Sequence, residues 1–278
     1  MALLFIFAIF RIFRGTHFMS GKKIGLALSG GGARGFAHVG ALKVLIENEI
    51  PIDLIAGTSA GSLVGGAFAA GMTVDELEKM SRGLRWRHLT RPSFSARAIL
   101  SIAPMGKFIK RNFPVTRFED LLIPFAAVAC DINTGECVVF RESGDLVSAI
   151  QASSAIPAVF MPIRDENGRI LVDGGVVAPM PVDAVREMGA DIVIGIDLLS
   201  CGVIFHHAPR TAFGMLIKGA MTLLRAASNN QNYVADAVIM PEIAHIRPDE
   251  IRRGRELMEL GERAARDKID EIKRLIAR

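Results

Sequence analysis

The chain has 278 residues, half of them apolar, with 27 glycines against one tyrosine and one tryptophan, and a formal charge of +4. That length supports a substantial core in one large domain, or one domain with an insertion, and so small a net charge excludes little; its distribution along the chain says more. The three cysteines, Cys130, Cys137 and Cys201, are odd in number and lack C-x-x-C spacing, which points to reduced thiols packed in a cytosolic protein.

The first segment, residues 1–22, reads as a tail. Its uncharged run, residues 2–10, is far shorter than the ~18–20 residues of a spanning helix. A secretory signal carries its positive charges before the apolar run, whereas Arg11 and Arg14 follow it and no A-x-A site is present. Two readings remain: an interfacial anchor with the arginines at headgroups, or a non-native start with translation beginning at Met19. The second is favoured.

The domain proper covers residues 23–278. Residues 24–28 are a short, turn-bounded apolar run, as a buried strand would be, and they empty into Gly30-Gly31-Gly32-Ala33-Arg34-Gly35. Apolar residues then recur at helical spacing (Phe36, Val39, Leu42, Leu45). A second strand at 54–56 ends in Gly57-Thr58-Ser59-Ala60-Gly61, a G-x-S-x-G match, and another apolar helix follows. A serine at such a junction is forced into a strained turn, with Gly57 and Gly61 keeping neighbouring atoms clear. The helix N-terminus behind Ser59 supplies free N–H groups and a partial positive charge, and the glycine loop supplies more donors. A hydroxyl beside such donors suits acyl transfer, because negative charge grows on the substrate oxygen in the transition state.

The same loop also spells G-x-G-x-x-G through Gly30, Gly32 and Gly35, the dinucleotide fingerprint. That reading needs an acid about 20 positions on, at the far end of the second strand. Asp53 precedes its strand, and Gly57-Thr58-Ser59 fills the slot, so dinucleotide binding is the weaker reading.

A short helix at 73–82 carries Asp75 and Glu76 in its first turn. From Met80 to Phe118 there is no acidic residue but nine basic ones, interleaved with Trp86, Phe94, Phe108, Phe113 and Phe118 and broken by Pro92, Pro104 and Pro114. One reading is a solvated, irregular excursion; the other is a mobile cap at about 80–118 that touches an anionic membrane surface. No nucleic-acid motif accompanies the run, and no nucleic-acid partner is expected. Strands at 125–130 and 137–140 then flank a turn, and 145–152 is helical. Residues 160–163 and 170–172 form a hairpin about Asn167-Gly168. A helix at 182–188 and a strand at 192–196 lead to a polar section at 200–210, a long helix at about 211–231 and a short strand at 238–240. The last element, 251–277, is a charged amphipathic helix with Leu257, Leu260, Ala264, Ile269, Ile272 and Ile276 inward.

A serine hydroxyl needs a base to be a good nucleophile. In the common hydrolase order a histidine follows the acid. Here His206, His207 and His245 sit in irregular runs, His38 in the helix behind the glycine loop, and His17 and His88 in peripheral stretches. Asp173 is the better candidate, because it ends a hairpin strand and Gly174-Gly175 let backbone come close. From local sequence alone the alternative is an aspartate that caps a Gly-Gly turn.

Four ordered blocks now stand together: Gly30–Gly35, Gly57–Gly61, Ala152-Ser153-Ser154-Ala155-Ile156-Pro157, and Asp173-Gly174-Gly175. Over residues 23 to about 200 the chain resembles the patatin-like phospholipases, most of all their small bacterial members. The resemblance implies an α/β fold, a three-layer α/β/α sandwich around a mainly parallel central sheet. It also implies a Ser–Asp dyad without histidine, with Ser59 as nucleophile, Asp173 as base and the backbone of Gly30, Gly31 and Gly32 as oxyanion hole. Arg34 fits the family's basic position in that loop, and Ser153 and Pro157 fit the third block, which helps shape the site. No metal or cofactor is implied. The expected protein is a serine acyl hydrolase that cleaves a lipid ester, cytoplasmic and in peripheral contact with membrane. The alternative is a non-catalytic scaffold of the same fold that binds a partner protein through its cap.

Overall fold

The computed structural model describes residues 21–203, 211–232 and 234–278; the expectations for residues 1–20 and for His206 and His207 lie outside them. In chain order the elements begin with β1 (Ile24–Leu28), a 3-10 turn (Gly32–Gly35), α1 (Phe36–Glu47), β2 (Leu54–Thr58), α2 (Ala60–Ala69) and α3 (Val74–Gly83). There follow α4 (Trp86–Leu89), β3 (Arg91–Ser95), β4 (Ala98–Ser101), α5 (Ala103–Asn112), β5 (Phe125–Asp131), β6 (Cys137–Phe140) and α6 (Leu146–Ser153). The chain continues through β7 (Ala158–Phe160), β8 (Ile163–Arg164), β9 (Ile170–Asp173), a second 3-10 turn (Gly174–Val176), α7 (Val182–Glu187) and β10 (Ile192–Ile196). It closes with α8 (Ala212–Asn232), β11 (Ala237–Ile239) and α9 (Gly254–Ile276).

Strands β11, β10, β1, β2 and β5 run parallel in that order across the sheet, and β6, β9 and β8 join antiparallel. Every residue of β1, β2, β5 and β10 is buried, so these strands read as unbroken apolar runs rather than alternating ones, as expected when helices cover both faces. Leu26, Leu28, Ile55 and Phe125 point into the core beneath α1, α2 and α9. Their neighbours Ala27, Leu54, Ala56 and Val128 point into the opposite layer, under Val182 and Val185 of α7. The result is the three-layer sandwich. Helices α1 and α9 approach backbone to backbone: a Cβ on Gly40 would lie 2.0 Å from Met258 O, and one on Gly261 2.1 Å from Ala37 O.

Strand β5 carries the arrangement that matters most. On one edge it pairs with β6; on the other it pairs first with β2, as far as Thr58 opposite Val128, and then with β9, starting at Asp173 opposite Ala129. Two strands from distant parts of the chain therefore end head to head along one edge. Thr58 and Asp173 face successive residues of β5, about 3.3 Å apart along a strand.

Two readings are corrected. The excursion at 80–118 is regular and largely packed: Leu84, Leu89, Ile102, Met105, Ile109, Phe113 and Phe118 join the main core, and Phe118 stacks on Phe125 with ring centroids 6.2 Å apart. Of its five aromatic residues only Phe94 stands fully in solvent. Phe160 does not belong to the 163–173 hairpin but ends β7, which pairs with β4 in a separate three-stranded sheet, β3-β4-β7.

The close helix contact generates a prediction remote from the site. Gly261→Val should lower stability by roughly 2–3 kcal/mol, since the α1 backbone must be pushed away; a urea midpoint unchanged from wild type would contradict the packing described.

Candidate active site

Ser59 follows the last residue of β2 and precedes α2 with φ 54° and ψ −119°, a conformation that costs a side-chain-bearing residue about 1–3 kcal/mol. Its surroundings hold it there. The Ser59 N–H donates to Ser153 Oγ (2.9 Å), and its carbonyl accepts from Ser62 Oγ (2.7 Å) and Ser154 Oγ (3.4 Å). Thr58 Oγ1 donates to Ala178 O at 2.8 Å, fixing the strand end. The elbow also demands its flanking glycines: a Cβ on Gly61 would lie 2.2 Å from Leu28 O, and one on Gly57 2.4 Å from Gly61 O.

Asp173 is placed by the β5 edge, and its N–H donates to Ala155 O at 2.9 Å. The next residue must be glycine, because a Cβ on Gly174 would stand 2.2 Å from Val128 O. One carboxylate oxygen accepts the Gly175 N–H at 2.8 Å, and the Ser59 hydroxyl is close enough to the carboxylate to pull its pKa downward. Only 6% of either residue is exposed. Burial pushes the Asp173 carboxyl up to about 6, against the opposing pull of the Ser59 hydroxyl and the Gly175 N–H.

The glycine loop faces this pair unevenly. The Gly30 N–H donates to Pro179 O at 2.9 Å, so that donor, expected in the oxyanion hole, is already engaged. The N–H groups of Gly31 and Gly32 meet no acceptor among the described residues, nor does that of Ala60 at the start of α2. Gly32 has φ +58°, and a Cβ there would lie 2.7 Å from Pro248 O; the adjacent Ala33 N–H donates to the same oxygen at 2.7 Å. Arg34 is fully buried and turns to this strap, with Nε donating to Ile246 O (2.8 Å) and Nη1 to Leu198 O (3.1 Å). It braces the loop from behind.

Of the residues expected at the site, the structure brings together Ser59, Asp173, Ser153, Gly174 and Gly175, with Gly57 and Gly61 shaping the elbow and Gly30 of the loop against Ser59, where a Cβ on Gly30 would lie 3.4 Å from Ser59 Cβ. Half-buried Pro157 ends the turn that leads from α6 into β7. Sequence reasoning missed Ser62, Ser154 and Thr58, the strap at 246–248, and Ala60 by name; no local pattern marks the strap. Among the described residues no imidazole is hydrogen-bonded to Ser59 or Asp173. His38 is wholly buried, its Nε2 bonds Ser29 O at 2.8 Å, and burial lowers its pKa to about 4. His245 pairs with Glu256 at the surface. Asp53 accepts the Ile24 N–H at 2.8 Å beside the N-terminal end of β1, away from the site. No group of acids, histidines or cysteines among the described residues could hold a metal ion.

Residues 26–186 match the family model for patatin-like phospholipases. An uncharacterised NTE family protein of Mycobacterium tuberculosis is 39% identical over 182 residues, 64% of this chain and 50% of that protein. The lysophospholipase NTE1 of Mycosarcoma maydis is 34% identical over 236 residues, 82% of this chain and 12% of the relative. The chain thus spans half or less of the length of these curated relatives. Among solved structures, VipD from Legionella pneumophila superposes with a TM-score of 0.61 at 14% identity, over 90% of this chain and 67% of that one; that likeness concerns the fold.

The buried carboxyl generates a stability prediction whose sign is opposite to that of a salt-bridged acid. Its folded pKa of about 6 lies above the ordinary 3.8 of an aspartate. The folded state therefore holds the proton more tightly, and Asp173 destabilises the fold increasingly as pH rises from about 4 to 6. Asp173→Asn should be more stable than wild type by roughly 2–3 kcal/mol at pH 8, and the gain should vanish by about pH 4. Denaturant titrations at the two pH values check this.

Proposed function

The chain belongs to the patatin-like phospholipase family, and from that membership we propose that it is a serine acyl hydrolase acting on a lipid carboxylic ester. The observation that carries the reading is the buried Ser59–Asp173 pair, set at the meeting ends of β2 and β9 on one β5 edge, with the Ala60 N–H beside Ser59 meeting no acceptor among the described residues. In the proposed reaction Ser59 Oγ attacks the ester carbonyl while Asp173 takes the hydroxyl proton. The tetrahedral oxyanion lies against the N–H groups of Gly31, Gly32 and Ala60, at the N-terminus of α2. Collapse breaks the ester C–O bond, Asp173 returns the proton to the departing alcohol, and an acyl-Ser59 intermediate remains. Water, deprotonated by the same carboxylate, then releases the carboxylic acid and restores the hydroxyl. Phospholipid and lysophospholipid both fit this chemistry, and the relative named as a lysophospholipase favours the latter class. No described helix is long and apolar enough to cross a membrane.

The base must be ionised to act. The rate should therefore rise with pH through about 6 and level off above it; a flat profile between pH 4.5 and 8 would contradict Asp173 as base. A fluorophosphonate probe should label wild type but not Ser59→Ala, and Ser59→Ala and Asp173→Asn should both abolish hydrolysis of a lipid panel. Absence of labelling in wild type would favour a scaffold instead. Gly32→Ala should reduce kcat by ~10²–10³, the usual loss on removing one oxyanion donor, since φ +58° and the Pro248 carbonyl leave the loop no room to keep its shape.

A further inference from the structure

The long helix α8 is amphipathic the wrong way round for an element at a protein surface. Its outward stripe is formed by Met215, Leu216, Gly219, Ala220, Leu223 and Ala226, all exposed, while Met221, Leu224 and Ser228 turn inward. Leu216 and Leu223 are 63% and 73% exposed. Water-facing helices place charged and polar residues on that side, and a contiguous exposed apolar stripe marks a contact surface.

The helix stands at the site. Leu224 lies 3.4 Å from where a Cβ on Gly175 would be. Arg225 Nε donates to Ser200 O at 2.8 Å, and Ser228 Oγ donates to Asp197 Oδ1 at 2.9 Å, both beyond the C-terminal end of β10. Val176, next to the Asp173 turn, is itself exposed. The β3–β4 hairpin is connected to the site by another route. Its strand β4 pairs with β7, which follows directly from the Ser153-Ser154 segment that holds Ser59. The hairpin exposes Phe94 fully and Ile99 by more than half.

Charge identifies the occupant. The chain has 29 acidic residues, and none lies between Glu78 and Glu119 or between Asp197 and Asp236, the two stretches that contain the hairpin and α8. Those stretches carry ten and three Lys or Arg residues respectively. Apolar side chains among basic ones, with acids excluded, suit a surface of acyl chains beneath anionic headgroups.

We propose that the outward face of α8 and the β3–β4 hairpin are two arms of a docking surface that seats the mouth of the Ser59 site on an anionic lipid bilayer. The proposal deepens, and for its purpose rests on, the lipid-hydrolase reading, but the surface can be tested without turnover. The test compares full-length wild type, Leu216→Glu/Leu223→Glu and Phe94→Glu by co-sedimentation with phosphatidylglycerol–phosphatidylcholine vesicles and with phosphatidylcholine vesicles alone. Hydrolysis of vesicle phospholipid and of a water-soluble short-chain ester is measured alongside. Wild type should prefer the anionic vesicles, more so at low salt. The double variant should lose at least about tenfold in vesicle affinity and Phe94→Glu a smaller factor, with parallel losses on vesicle substrate and none on the soluble ester. Unchanged vesicle binding in the variants, or equal wild-type binding to neutral and anionic vesicles, would overturn the proposal. So would a wild-type dimer that the double variant dissociates without loss of vesicle binding, which would assign the stripe to a second copy of the chain. If wild type cleaves neither ester, the hydrolase reading fails while the binding measurements still judge the surface.

Discussion

Everything in this molecule that concerns Ser59 depends on one edge of β5. Val128 and Ala129 are consecutive, and β2 ends opposite the first while β9, running the other way, ends opposite the second. The hydroxyl and the carboxylate, 114 positions apart in the chain, are thereby set side by side by backbone register, before any rotamer is chosen. The glycine requirements follow from the same crowding. Gly174 must let the turn pass the Val128 carbonyl, and Gly61 must let α2 pass the Leu28 carbonyl. Ser153 and Ser154 bind the elbow from α6, and Ala155 binds β9 from the same segment, so one short stretch secures both halves.

Such closeness lets the hydroxyl act on the titration of the carboxyl, and in the proposed reaction the carboxyl does the work an imidazole does elsewhere. An exposed aspartate is too weak a base to draw a serine proton near neutrality. Burial corrects this by favouring the protonated form and lifting the group to about 6. The adjustment carries a stability cost, which falls on the sheet and the helical layers. Arg34 shows the same economy of position. Its guanidinium is sunk behind the glycine loop and spans carbonyls at 198 and 246, so it ties the loop to both segments.

The features most legible in sequence were those whose cause is local. The glycine blocks announce close approach, the Asn167-Gly168 pair announces its turn, and the apolar runs of β1, β2 and β10 announce burial on two faces. Asp173 could be nominated from a strand end followed by two glycines, although its nearness to Ser59 is a matter of register that no local pattern contains. What escaped depends on remote partners. Gly30 looks like a third oxyanion donor until Pro179 is seen accepting its N–H, and Pro248 carries no mark of its service to the loop. Phe160 sits in an apolar run next to a hairpin, yet β4 captures it for another sheet. The aromatic residues of 80–118 show no clear period, so their number could not reveal that Phe113 and Phe118 face the core while Phe94 does not.

A strand that gauges the interval between two distant segments works as a ruler. Its gradations are peptide units, and whatever the chain does between leaving β2 and returning at β9 cannot rescale them. The exposed tip of the β3–β4 hairpin, which lies in that interval but off the ruler, is therefore free to lengthen, shrink or change character over evolutionary time. Diversification can proceed at the periphery, where incoming molecules are selected, while the central pair keeps the same spacing.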